Sequence, residues 1–163
     1  MSETDLVVER VLDAPRELVW EAYTNPEHLK KWWCPKPWST PECEMDVRPG
    51  GKFFTRMEGP NGEGFAGTGC FLEVVEGERI VWTSALGEGW RPNAADPAGF
   101  VFTAVVTLAD AGEGRTRYRV VAMHPDAAAA GRHETMGFKD GWGTAADQLG
   151  EVAAALKDRP RAG

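Results

Sequence analysis

The sequence predicts an α+β fold in which a curved antiparallel sheet wraps around a long C-terminal helix. Three observations predict it: one early strand is followed by two short helical segments, six strand-like segments come next, and the last segment has apolar residues at helical spacing. This order is a helix-grip arrangement with seven strands. Its elements are too few to fill the space between sheet and helix, so we expect a cavity there.

The first strand and the two short helices are predicted from alternation and helix-start signals. Apolar and polar residues alternate over 6–12, which predicts a strand. Asp13-Ala14-Pro15 then supplies an N-cap and a proline for the first helical turn. Asn25-Pro26 ends that helix and begins another. We expect irregular chain after it, because three prolines follow that lack a backbone N–H: Pro35, Pro37 and Pro41.

The middle of the chain consists of strand-like segments joined mostly by short turns. Pro49-Gly50-Gly51 and Gly59-Pro60-Asn61-Gly62 are turn signals. Gly67 and Gly69, inside the longest segment, predict a bulge or a sharp bend. Residues 87–99 form the one long predicted loop. The predicted strands cover about 42–47, 52–58, 65–75, 79–85, 100–108 and 116–124.

The final segment, about 133–157, is predicted as one amphipathic helix. Its apolar positions advance by four and three residues, so they share one helix face: Phe138, Trp142, Ala145, Leu149, Val152 and Leu156. The chain has no repeat and no linker. We therefore expect a single domain over 1–163, with its core at about 7–156.

Charge and cysteine content exclude several classes of partner and location. Lys plus Arg number 18 and Asp plus Glu number 25, a net charge of −7, which argues against nucleic acid or an anionic membrane as partner. The three cysteines form no CxxC pair, so no disulfide framework is expected. No signal peptide and no membrane-spanning apolar run is present, so we expect a cytoplasmic protein without membrane insertion.

Large aromatic rings are the unusual part of the composition. Seven Trp and seven Phe must fill a thick core or line a wide apolar cavity, and both interpretations stay open for any single ring. The second interpretation predicts an apolar small-molecule ligand. The candidates for its cavity, chosen by their place on strands and on the final helix, are Phe53, Met57, Trp82, Phe102, Tyr118, Met136, Trp142 and Leu149.

Few residues could carry acid–base chemistry. His124 and His133, with the carboxylate of Glu73 or Asp140, are the candidates for a proton-transfer pair near the cavity mouth, although a lone histidine at the end of an element is more often a cap or a surface residue. No His or Cys spacing resembles a metal site, and no nucleotide loop or serine-hydrolase elbow is present. We expect no metal and no cofactor. Asp46 and Arg48 are predicted to form an ion pair that braces a turn.

Several segments, taken together, resemble the START-like (SRPBCC) superfamily, and within it the activator of heat-shock-protein-90 ATPase homologue type. The similarity covers roughly 7–156 and is carried by residues 14–22 (APRELVWEA), 25–27 (NPE), 32–35 (WWCP), 46–51 (DVRPGG), 69–74 (GCFLEV) and 136–142 (MGFKDGW). The resemblance implies a Bet v 1-like helix-grip fold with a cavity for a hydrophobic ligand. The superfamily contains lipid carriers, hormone receptors, polyketide cyclases and chaperone activators, so it implies no single reaction.

Three functions follow as hypotheses. The first is binding of a hydrophobic or aromatic small molecule, with no catalysis required. The second is an enzyme of the cyclase or dehydratase kind in the same cavity, and the third is a protein-interaction module like the chaperone activator. Trp90, on the long loop, is predicted to be a lid over the cavity, a contact in a homodimer or an ordinary surface residue.

Overall fold

The computed structural model describes residues 3–94 and 99–159, and it confirms the predicted helix-grip fold. The helices are α1 (Arg16–Thr24), α2 (Pro26–Leu29), α3 (Ala127–Thr135) and α4 (Phe138–Leu156), with one turn of 3-10 helix at Glu88–Trp90. The strands are β1 (Asp5–Leu12), β2 (Ser39–Met45), β3 (Lys52–Glu58), β4 (Gly64–Val75), β5 (Arg79–Thr83), β6 (Leu86–Gly87), β7 (Arg91–Pro92), β8 (Thr103–Gly112) and β9 (Arg115–Met123).

Seven strands form one antiparallel sheet in the order β1-β9-β8-β5-β4-β3-β2, while β6 and β7 form a separate short pair. Register partners Leu6, Ala122, Ala104, Trp82 and Phe71 make one row across the concave face. Ala122 and Ala104, on the neighbouring strands β9 and β8, are fully buried in the core. Trp82 is the member of this row that lines the cavity described below.

Helix α4 lies over the concave face and packs against β1 and α1. Three members of its predicted apolar stripe, Phe138, Ala145 and Leu149, are buried. The other three members, Trp142, Val152 and Leu156, are partly buried and pack against the core. Alternate residues of the strands meet this stripe and complete the core. The concave face and α4 therefore share one core, with a cavity beside it.

The predicted single helix over 133–157 is wrong, because the chain forms two helices there. Gly137 has a φ of +93°, which ends α3 and lets α4 begin in a new direction. Helix α3 begins earlier than expected, at an N-cap where the Asp126 carboxylate accepts a hydrogen bond from the Ala129 backbone N–H at 2.8 Å. His133 consequently lies near the end of α3, not at the start of the final helix.

Two smaller predictions near the N-terminus are also wrong. Pro15 occupies the N-cap position of α1 with no side-chain cap, and the Asp13 carboxylate lies 3.8 Å from the Lys157 ammonium. Pro41 lies inside β2, where irregular chain was expected. This strand is at the edge of the sheet and has a register shift between Ser39 and Glu42, so a missing N–H is tolerated there.

The glycines of β4 act differently from the prediction. The register shift in this strand lies between Phe71 and Glu73, beyond both Gly67 and Gly69. Gly69 instead permits a close approach, because a Cβ atom there would lie 2.8 Å from the carbonyl oxygen of Thr83. The predicted loop at 87–99 contains β7 and the 3-10 turn, and its residues 95–98 lie outside the described part of the chain.

The outer face of the sheet is partly apolar and partly charged. Half-buried Val7, Val121, Val105 and Val81 are register partners in one row, and charged side chains dominate the row beside it. In that second row the Arg119 guanidinium lies 3.8 Å from the Glu9 carboxylate. Across residues 3–94 and 99–159, no helix has the length and apolarity that a membrane crossing requires.

Candidate functional site

A cavity of about 390 Å³ lies between the concave face of the sheet, the start of α4 and the irregular segment after α2. Its size falls within the range of small-molecule sites. The wall is mainly aromatic, with rings contributed by Trp33, Phe53, Trp82, Phe102, Phe138 and Trp142. Strand alternation places Phe53 and Trp82 on the concave side, and the stripe of α4 brings Trp142 opposite them.

The rings of the wall contact one another and hold each other in place. Trp82 is central: its ring centroid lies 5.1 Å from that of Phe53, 5.9 Å from that of Trp33 and 5.4 Å from that of Phe102. Trp142 lies parallel to it at 6.5 Å. These spacings are those of favourable edge and offset contacts. The wall is therefore largely preorganised for an apolar molecule.

One polar side chain of α4 positions the irregular segment that closes this side of the cavity. The Gln148 amide donates to the carbonyl oxygens of Trp32 at 3.1 Å and Cys34 at 2.9 Å, and its own oxygen accepts from the Lys36 backbone N–H at 3.2 Å. Segment 32–36 belongs to no helix or strand, so its backbone groups have no regular hydrogen bonds. The bonds to Gln148 satisfy three of these groups. Trp33 is held in the wall as a result.

The cavity reaches solvent between β4 and the junction of α3 with α4. Met136, at that junction, is 60% exposed although it also lines the cavity. Thr68 on β4 is exposed and lines it as well. A small molecule could enter between these two residues.

Two tyrosine hydroxyls are among the few polar groups on the wall. The Trp82 indole N–H donates to the Tyr23 hydroxyl at 3.1 Å. Tyr118, on β9, also lines the cavity. Burial raises the pKa of Tyr118 well above its usual value, and burial likewise raises the pKa of Tyr23. Both hydroxyls are therefore uncharged at neutral pH.

His133 is the titratable imidazole on the wall, and it is bonded to His124. The distance from His124 Nε2 to His133 Nδ1 is 2.9 Å, and His124 Nδ1 lies 2.7 Å from the Thr4 carbonyl oxygen. Rings of Phe100, Phe102, Phe138 and Trp142 surround His133 at 4.9 to 5.6 Å. Burial, assisted by His124, lowers the pKa of His133 to about 4.

This shift predicts a stability that falls in mild acid. Because the pKa of His133 is about 4 when folded and 6.5 unfolded, the unfolded chain binds more protons between those values. His133 should therefore contribute a loss of about 2 kcal/mol in the free energy of unfolding between pH 7 and pH 5. Urea denaturation of the wild type and of His133→Phe at both pH values measures it. An equal pH dependence in the two proteins would contradict the assignment.

The structure brings seven of the eight predicted cavity residues to the wall, and their contact with a ligand stays a prediction. Leu149 is the exception, since it is fully buried in the core and is not part of the lining. Leu149 lies one helical turn beyond Ala145, the last residue of α4 that lines the cavity. At this point α4 packs on β1 and α1 instead. Lining residues that the sequence analysis missed include Trp33, Phe138 and Thr55, which shares the alternation of Phe53 and Met57.

The predicted acid–base group is only partly assembled. His124 and His133 are together, but Glu73 is on the outer face of the sheet, where it pairs with Arg79. Its position follows from the register shift after Phe71, which leaves Glu73 beside outward-facing Val81. Asp140 is exposed in the first turn of α4. The predicted Asp46–Arg48 pair is confirmed, with 2.7 Å between carboxylate and guanidinium.

Trp90 lies on the turn at Gly50, not on the cavity wall. A Cβ atom on Gly50 would be 2.8 Å from the Trp90 ring, so the two residues are in direct contact. The ring is still 54% exposed. The three alternatives for Trp90, as a lid, a homodimer contact or an ordinary surface residue, stay predictions.

The three cysteines, all within the described part of the chain, are not reactive thiols. Cys34, Cys43 and Cys70 are free thiols, and burial raises the pKa of Cys34 and raises that of Cys43 to about 12. Thiols in such settings are protonated and unreactive. Within 3–94 and 99–159, no three His, Cys, Asp or Glu side chains converge in a way that could hold a metal ion.

The chain is similar to several solved structures. Protein NE0264 from Nitrosomonas europaea is 46% identical with a TM-score of 0.91, over 98% of this chain and 99% of that chain. Protein Ms6760 from Mycobacterium smegmatis is 27% identical with a TM-score of 0.74, over 98% and 94%. An AHSA1-like protein from Aeromonas hydrophila shares the fold at 20% identity, with a TM-score of 0.70 over 98% and 99%. No curated protein matches the sequence.

The family assignment rests on a match over most of the chain. Residues 13–154 match the family described as Activator of Hsp90 ATPase homolog 1-like protein, a range that begins before α1 and ends within α4. It includes every strand of the large sheet except β1, and all the described residues that line the cavity lie within it. The chain therefore belongs to the Activator of Hsp90 ATPase homolog 1-like family.

Proposed function

We propose that this protein binds a small hydrophobic, aromatic molecule in the cavity between the sheet and α4. The observation that carries the proposal is a space of about 390 Å³ whose wall is built from mutually packed aromatic rings. Rings supported in this way offer apolar contact area without having to be ordered on binding. Few polar groups interrupt the wall, which favours a largely apolar ligand.

The enzyme hypothesis has less support. A cyclase or dehydratase in this cavity would need a proton donor and an acceptor near the reacting atoms. Among the described residues, His133 is bonded to His124, and Glu73 is on the other face of the sheet. The wall thus offers a hydrogen-bonding imidazole without the carboxylate that the hypothesis required.

The protein-interaction hypothesis also has less support. The family is named for an activator of the Hsp90 ATPase. Docking of a partner would be favoured by one contiguous exposed apolar patch. The exposed large apolar residues within the described chain are Val11, Trp90, Met123 and Met136, and they are dispersed. Val11 and Met123, for example, lie at opposite ends of the β1–β9 pair.

Binding of N-phenyl-1-naphthylamine, a neutral apolar dye, tests the proposal. We expect the dye to quench tryptophan emission with micromolar affinity, because Trp33, Trp82 and Trp142 are on the wall. At a free concentration one hundred times the Kd, it should raise the free energy of unfolding by about 2.7 kcal/mol. Fluorescence titration and thermal denaturation measure the two effects.

A pair of variants localises the binding. Trp142→Ala removes a ring from the wall and should weaken dye binding about tenfold, whereas Trp90→Ala removes an exposed ring outside the lining and should leave it unchanged. Absence of binding to the wild type, or equal weakening in both variants, would refute the proposal.

A further inference from the structure

The hydrogen bonds of the two histidines determine where their hydrogens are. The Thr4 carbonyl oxygen accepts a bond from the His124 backbone N–H at 2.9 Å and is 2.7 Å from His124 Nδ1. A carbonyl oxygen has no hydrogen to donate, so Nδ1 of His124 must carry one. An uncharged His124 ring then has no hydrogen on Nε2, which is left as an acceptor.

The bond between the two histidines then determines which ring nitrogen of His133, on the cavity wall, carries a hydrogen. His124 Nε2 and His133 Nδ1 are 2.9 Å apart, so exactly one of the two atoms carries the shared hydrogen. Since His124 Nε2 is the acceptor, the hydrogen belongs to His133 Nδ1. The low pKa of His133 keeps its ring uncharged at neutral pH, so its remaining nitrogen, Nε2, has a free lone pair.

The surroundings of His133 leave this lone pair unused by the protein. The ring lines the cavity and is enclosed by Phe100, Phe102, Phe138 and Trp142, which are packed against it by their rings. Within the described residues, the one hydrogen bond of the His133 ring is the bond to His124 through Nδ1. Nε2 is consequently an acceptor without a protein donor, in a wall that is mainly aromatic.

We propose that Nε2 of His133 selects the ligand, which is a small aromatic molecule with a hydroxyl or amino hydrogen to donate, such as a phenol or an arylamine. The proposal rests on the proposed function and adds the ligand's polar group to it. An apolar group placed against this nitrogen would remove it from water without a partner, which is unfavourable. A site with a fixed acceptor therefore discriminates against the analogue that lacks the donor.

Two ligands of nearly equal shape test the selection at pH 7.5. 1-Naphthol has a hydroxyl group where 1-methylnaphthalene has a methyl group. We expect the wild type to bind 1-naphthol about tenfold more tightly, as measured by tryptophan quenching and calorimetry. If both ligands bind with equal affinity, this inference is wrong while the proposed function stands. If neither binds, both are wrong.

Two matched variants assign the preference to one histidine. His133→Phe keeps a ring on the wall and removes the acceptor, so the tenfold preference for 1-naphthol should disappear. His28→Phe makes the same change on α2, outside the cavity lining, and should retain the preference. Retention of the preference in His133→Phe would overturn the inference.

A measurement on the wild type covers the case in which His133→Phe does not fold. Long-range proton–nitrogen NMR of protein labelled with ¹⁵N-histidine reports which ring nitrogens carry hydrogen. We expect His133 Nε2 to have the resonance of an unprotonated nitrogen, and 1-naphthol to shift it markedly more than 1-methylnaphthalene does. A protonated Nε2 in the free protein, or equal shifts with the two ligands, would overturn the inference.

Discussion

Replacing Trp32 with alanine should lower the free energy of unfolding by about 4 kcal/mol. Trp32 is 2% exposed, and its indole N–H donates to the Ala22 carbonyl oxygen at 2.9 Å. Its ring also packs on that of Tyr23, with 5.1 Å between centroids. The backbone cannot easily collapse into the vacated space, because Gln148 holds the carbonyl oxygens on this segment.

Two other substitutions separate the causes of this loss. Trp32→Phe keeps most of the ring but removes the bond to Ala22, so it should cost about 1–2 kcal/mol. Trp90→Ala removes a ring of the same type that is half exposed, and should cost less than about 1 kcal/mol. Urea denaturation with a common m-value gives all three numbers. Equal losses for Trp32→Ala and Trp90→Ala would contradict the burial of Trp32.

Replacing Gly51 with alanine should be the other severe change, with a loss of about 3 kcal/mol or more. A Cβ atom at this position would lie 1.8 Å from the backbone oxygen of Asp46 and 2.9 Å from that of Arg48. Backbone atoms cannot rotate away as a side chain can, so the turn must open. Opening it breaks the bond from the Gly51 N–H to the Arg48 oxygen and disturbs the bond from Phe71 N–H to Gly51.

Gly64→Ala is the matched control for this change. Gly64 begins β4 with no positive φ, and a Cβ atom there would have no neighbour within 4 Å. Its replacement should change the free energy of unfolding by no more than about 0.5 kcal/mol. Chemical denaturation of both variants checks the comparison. A small effect at Gly51 similar to that at Gly64 would mean that the turn is looser than the structure shows.

Local pattern alone was sufficient for the architecture. Alternation in the strands and the stripe of α4 identified the sheet and its helix, because the side-chain direction within an element depends only on its backbone period. The same patterns placed Phe53, Trp82 and Trp142 on the inner face, where the cavity wall is found. They also predicted the turn at Pro49-Gly50-Gly51, where Gly50 has a φ of +82°.

The tertiary structure alone determined the contacts between residues that are far apart in the sequence. Glycine is required at position 51 because the Asp46 backbone oxygen lies too close for a Cβ atom, and not because φ is positive. The residue types of a turn do not reveal which of these two reasons applies. Gln148 positions the segment that carries Trp33, and His124 meets His133 because α3 follows β9 directly and brings its last turn back to the end of that strand. Such contacts depend on strand register and on the angle between elements, whereas the sequence determines directly only which face of its own element a side chain occupies.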